Sequence, residues 1–174
     1  MEIKKLSEIT RTEVFFTGSL YHACINNKDA IESLLISKLG LEETQVITDS
    51  GHEVCFFRDF AKEGYINREN ASFEKQTFDN VFIFSGNTVV LIEAKAHQGF
   101  SPKQVRYMAD AAEKIKKSRQ LPFEKVHLVG ICSSKYSPRP NTVRDLDAVI
   151  TWAEVAMCFH DDSVFLRADN IYND

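Results

Sequence analysis

Apolar and polar positions along the chain fall into helical and extended patterns that alternate from one end to the other. From Lys28 to Leu39 the apolar residues Ile31, Leu34, Leu35 and Leu39 recur at helical spacing, and Gly40 supplies a terminator. "HEVCFFRDF" (52–60) is rich in aromatic and β-branched residues and predicts a strand. "ENASFEKQ" (69–76) is a polar connection. "DNVFIFS" and "TVVLIEAK" flank Gly86-Asn87 and predict a β-hairpin. In "SPKQVRYMADAAEKIKKS" Val105, Met108, Ala109, Ala112 and Ile115 form one stripe of a helix, which Ser101 can cap with Pro102 in its first turn. "KVHLVGIC" reads as a buried strand, "SSKYSPRPNT" as a loop, and "WAEVAMCF" as a short helix with a Thr151/Glu154 capping box. "SVFLR" predicts a last strand; residues 1–19 are weakly patterned, although "EVFFTGSLYHA" could pack an N-terminal segment on the body. The order α–β–β–β–α–β, followed by α–β, implies an α/β protein with a mixed central sheet flanked by helices.

The hairpin poses a chemical question, because Asp79 stands at one end of an apolar stretch and Glu93 and Lys95 at the other. With a three-residue loop centred on Gly86, paired residue numbers sum to 172. Phe84 then faces Thr88, and Asp79 faces Glu93. Alternation puts Asp79 on the face of Val81 and Ile83, and Glu93 with Lys95, Leu91 and Val89. A two- or four-residue loop would leave the acids as diagonal neighbours. The opposite face, Phe82, Phe84, Val90, Ile92 and Ala94, is also apolar, so both strands are expected to be covered on both sides. Adjacent carboxylates there are costly unless paired or bound to a cation, and one lysine neutralises only part of their charge. A hard divalent ion would relieve it. A plain salt bridge of Lys95 with Asp79 or Glu93 at an exposed sheet edge is the competing reading.

Composition changes this picture little, and charge changes it more. Hydrophobic residues make up 44% and charged residues 26%, as in globular proteins generally, and the 174 residues suit one domain over 1–174. Its core spans about 28–133, with a C-terminal α/β extension over about 144–170. "MEIKKLSEITRTE" lacks a signal-peptide apolar core, and no apolar run approaches the roughly 18–20 residues of a membrane span. Cys24, Cys55, Cys132 and Cys158 are scattered without a CxxC pair and read as buried thiols. A soluble, cytoplasmic protein is expected. No P-loop, G-x-S-x-G or G-x-G-x-x-G is present, which removes support for triphosphate hydrolysis and serine-hydrolase chemistry. The net charge is −4, yet residues 101–144 hold ten Lys/Arg against three acids, a local balance of +7. A basic region on an acidic body suits a phosphate-binding face.

Asp79, a 13-residue gap containing a hairpin turn, and Glu93-Ala94-Lys95 at the end of an apolar strand together resemble the PD-(D/E)XK nuclease superfamily. The αβββαβ order is similar to that family's restriction-endonuclease-like core. The resemblance implies a Mg²⁺- or Mn²⁺-dependent nuclease hydrolysing phosphodiester bonds of nucleic acid, DNA foremost. Asp79 and Glu93 would be metal-binding acids and Lys95 the catalytic lysine. Glu32, on the first predicted helix, would match the further glutamate ligand of many members. Lys103, Gln104, Arg106, Lys114 and Lys117 would meet the nucleic-acid backbone. Gln104 and Tyr107 are three apart, not the four of one subfamily's signature, and Phe78 stands where that motif's proline would be. No membrane partner is expected; cutting both strands of a duplex would call for a homodimer or larger complex. A catalytically silent binding or assembly module of the same fold, or an acidic immunity- or inhibitor-like interaction protein, are the alternatives.

Overall fold

The computed structural model describes residues 12–67 and 75–172. Most of the polar connection 69–76, and nearly all of the opening segment, lie outside them.

Five strands form one sheet in the order β1-β2-β3-β4-β5. They are β1 (Ile47–Val54), β2 (Phe78–Phe84), β3 (Thr88–Ala94), β4 (Lys125–Cys132) and β5 (Ala148–Thr151). The first two pairings are antiparallel and the last two parallel, so the sheet is mixed. Helices cover both faces. On one side lie α1 (Glu13–Asn26), α2 (Lys28–Leu39), α6 (Trp152–Cys158) and α7 (Ser163–Asn170), packed on Phe82, Phe84, Val90, Ile92, Val129 and Ile150. On the other, α3 (Phe56–Lys62) and α4 (Pro102–Lys117) pack on Val81, Val89, Leu91 and Leu128. A one-turn helix, α5 (Pro140–Val143), falls in the Pro-rich loop.

All seven residues of β3 are buried, as expected of a central strand with layers on both sides. The hairpin has the three-residue loop, with Phe84 opposite Thr88 and Asn80 opposite Ile92, and both Gly86 and Asn87 adopt positive φ. The paired residues have numbers summing to 172, the sum the three-residue loop predicts, and Asp79 and Glu93 flank the last pair, Asn80 and Ile92. Helix α2 spans Lys28–Leu39 with Gly40 left-handed at φ 62°, β4 covers "KVHLVGIC", and the Thr151/Glu154 capping box closes on α6.

Three expectations fail. "HEVCFFRDF" is not one strand: β1 ends at Val54, and α3 begins at Phe56. The carboxylate of Asp59 accepts from the Cys55 N–H at 2.8 Å, and Phe56 stacks on Phe60 one turn later, which together turn the chain into a helix. "SVFLR" lies in α7, started by the Asp162 carboxylate accepting from Val164 N–H. "EVFFTGSLYHA" does pack on the body, as helix α1, whose Phe16, Leu20 and Cys24 enter the core four residues apart. Ser101 occupies the cap position of α4 without making a side-chain capping bond.

Candidate active site

Because β1, β2 and β3 run antiparallel in turn, the C-terminal ends of β1 and β3 meet the N-terminal end of β2 at one edge of the sheet. Ligands in open α/β sheets gather at the carboxyl ends of strands. Asp79 enters from β2, Glu93 from the end of β3, and Lys95 one residue beyond that strand. Two helices begin over them: Glu13 is the first residue of α1 and Gln104 lies in the first turn of α4.

The contacts are short and converge on Lys95. Its Nζ stands 2.8 Å from Glu93 Oε1 and donates to Glu13 Oε2 at 3.0 Å. Gln104 Nε2 donates to the same Glu93 oxygen at 2.5 Å. Asp79 Oδ2 accepts from the Ala94 N–H at 2.7 Å, tying β2 to the end of β3. The Lys95 backbone is held at both ends, its N–H by Ile131 O at 2.7 Å and its carbonyl by the Trp152 indole N–H at 3.0 Å. Gly130 pairs with Glu93 across β3 and β4. A Cβ there would lie 2.7 Å from the Phe100 ring, so glycine leaves that ring room to pack just before α4.

Glu93 is only 3% and Lys95 6% exposed, so the acids titrate abnormally. Burial pushes Asp79 up to about 6, against the pull of the Ala94 N–H and Lys95, with Glu53 and Glu13 pushing further upward. Burial and the neighbouring Asp79 push Glu93 up to about 7, although Lys95 opposes this. Burial alone would lower the Lys95 ammonium, but Glu93 and Glu13 outweigh it and hold it above its usual value. Three carboxylates around one ammonium leave an excess of negative charge, and Glu13 Oε1 is buried without a hydrogen-bond partner. Perturbed, mutually coupled groups of this kind cluster at functional sites.

Asp79, Glu93, Lys95 and Gln104 therefore come together. Glu32 does not join them: its Oε2 accepts from the Ile47 N–H at 2.6 Å, at the opposite end of β1. The place on a first-layer helix is taken by Glu13, which the N-terminal pattern did not single out. Glu53, at the end of β1 with φ 54°, also pushes the Asp79 carboxyl upward, and the sequence pattern did not single it out. Lys103, Arg106 and Lys117 are exposed on α4, with Lys103 over the Tyr107 ring and Lys117 paired to Glu113 at 3.1 Å. Lys114 is half-buried. Tyr136 packs edge-on to Phe100 and beside Tyr172.

No known protein-family model and no curated protein matches the chain.

Proposed function

We propose that this chain is a Mg²⁺- or Mn²⁺-dependent nuclease of the restriction-endonuclease-like, PD-(D/E)XK type, hydrolysing phosphodiester bonds in nucleic acid, with DNA the leading substrate. The observation that carries the proposal is the convergence of a buried and a half-buried carboxylate, Glu93 and Asp79, with one lysine at the end of a hairpin, where Asp79 accepts from the Ala94 N–H and Lys95 pairs with Glu93. The element sequence α2–β1–β2–β3–α4–β4 supports it, with α3 as an insertion after β1.

The donor set suits a hard cation, since it consists of carboxylate oxygens without thiol or imidazole. Among the described residues no three His, Cys, Asp or Glu side chains form a ready-made cage. Mg²⁺ is commonly held by one or two carboxylates, with water and substrate phosphate completing the shell. Asp79 and Glu93 would hold the ion, and the half-buried Glu13 carboxylate adds negative charge beside them. Bound there, the ion supplies Lewis acidity to the phosphate and to an attacking water.

The chain's own residues do the positioning. Gln104 fixes the Glu93 carboxylate, and the Ala94 N–H fixes that of Asp79. Lys95 remains an ammonium between Glu93 and Glu13, so it is a donor to charge developing on a phosphoryl oxygen rather than a base.

The test is cleavage of supercoiled plasmid, linear duplex, single-stranded DNA and RNA in Mg²⁺, Mn²⁺ or EDTA. Metal-dependent cutting that Lys95→Ala lowers by about 10²-fold or more is the expected result. Wild-type-like cutting by Lys95→Ala overturns the mechanism. No cutting at all, together with no Mg²⁺-dependent thermal shift sensitive to Asp79→Asn, favours a silent module of the same architecture.

A further inference from the structure

A recess of about 370 Å³ opens at the same edge of the sheet, lined by Cys55, Phe57, Arg58, Lys75 and Thr77. Cys55 follows Val54, which pairs with Phe78, the residue before Asp79. Thr77 lies two residues before Asp79 on the lead-in to β2. The recess thus adjoins the strand ends that carry Asp79, since Val54 and Phe78 pair between them. Glu53, at the end of β1, stands between the two places: its charge raises the Asp79 carboxyl, and its carbonyl accepts from Arg58 Nη2 at 2.9 Å.

The lining has a definite chemistry. Arg58 is held rigidly by Asp59, through Nε at 2.6 Å and Nη2 at 2.9 Å, which engages three of its five N–H donors when the Glu53 bond is included. Lys75 is exposed and Thr77 adds a hydroxyl. Phe56 and Phe60 are drawn into ring packing with Phe123 beneath the sheet, whereas Phe57 lines the recess. Two cations, a hydroxyl and an aromatic ring within a small-molecule volume match a nucleotide: an anionic phosphate, a sugar and a flat base. Asp79, Glu93, Glu13 and Glu53 lie on the strand-end side and Asp59 pairs with Arg58 itself, so a polyanion can cross only where cations flank the path. Arg58 and Lys75 stand on the β1–β2 side, and Lys103 and Arg106 on the α4 side.

We propose that this recess binds the nucleotide adjoining the phosphodiester presented to Asp79 and Glu93, its phosphate held by Arg58 and Lys75 and its base laid against Phe57. The inference rests on the nuclease reading and deepens it: the recess positions the strand and takes no part in bond breaking.

Steady-state cleavage of a fluorescein-labelled DNA 20-mer is measured for the wild-type chain, Lys75→Ala, Phe57→Ala and Arg58→Gln. Direct binding of the same oligonucleotide in EDTA is followed by anisotropy. Lys75→Ala and Phe57→Ala should each raise KM about 10-fold with kcat within about 2-fold, the size expected of one lost phosphate or stacking contact. Lys75 is exposed, so its variant tests the idea even if Arg58→Gln loosens α3; a thermal melt identifies that case. An oligonucleotide with one abasic residue beside the cleaved bond should abolish the Phe57→Ala effect and preserve that of Lys75→Ala. Folded Lys75→Ala and Phe57→Ala proteins with wild-type KM and affinity overturn the inference while leaving the nuclease reading in place. A wild-type chain that neither cuts nor binds the oligonucleotide overturns both.

Discussion

Lys95 makes ion pairs with Glu93, which precedes it by two residues, and with Glu13, 82 residues earlier, so one ammonium serves acids from two separate layers. Its limited charge has a consequence for stability. Asp79 and Glu93 bind protons more tightly in the folded chain than in the unfolded one, where carboxylates titrate near 4. Their contribution is therefore most favourable below about pH 4 and is lost as pH rises through about 6 and 7. In EDTA the melting temperature should fall across that window, and Asp79→Asn should flatten the fall, since an amide oxygen still accepts from the Ala94 N–H. A wild-type melting curve unchanged between pH 5 and 8 in EDTA would contradict this. The two helix glutamates should also separate by function. Glu32→Ala strands the buried Ile47 N–H and should cost roughly 1–3 kcal/mol in urea unfolding, with cleavage per folded molecule retained. Glu13→Gln should leave stability nearly unchanged and lower cleavage, because it alters the charge around Lys95.

At the scale of elements, α6 depends on its first turn. Thr151 Oγ1 accepts from the Glu154 N–H at 3.1 Å, and the Glu154 carboxylate accepts from the Thr151 N–H at 2.7 Å. Thr151→Ala should therefore cost about 1 kcal/mol, or roughly 2–4 °C in thermal melting. The capping box, the hairpin register and the α4 stripe were legible because each is set by residues within a few positions of one another. Asp79, Glu93 and Lys95 could be placed on one face for the same reason. The misread segments also held local signals: Phe56 and Phe60 lie one helical turn apart, and Asp162 is a cap rather than part of a loop. Glu13 is a different case. Two consecutive helices, α1 and α2, each carry a glutamate near the start, and only the packing of α1 across β1 and β2 decides which one reaches the strand ends.

For the whole molecule, a net charge of −4 conceals a cationic helix beside an acidic cluster. Binding to nucleic acid should weaken steeply with salt, and Lys103→Glu with Arg106→Glu should reduce the log–log salt slope by about 2 or more. Affinity insensitive to both salt and these changes would remove α4 from the interface. Among the described residues no helix is long and apolar enough to cross a membrane.

The indole of Trp152 holds the carbonyl of Lys95 from 57 residues further along the chain, and it does so from α6, which follows the last strand of the sheet. A ribosome delivers Glu13, Asp79, Glu93 and Lys95 long before it delivers that indole. Synthesis halted before Trp152 would leave the lysine's carbonyl without this anchor, so the last elements to be translated complete the backbone support of residues made much earlier.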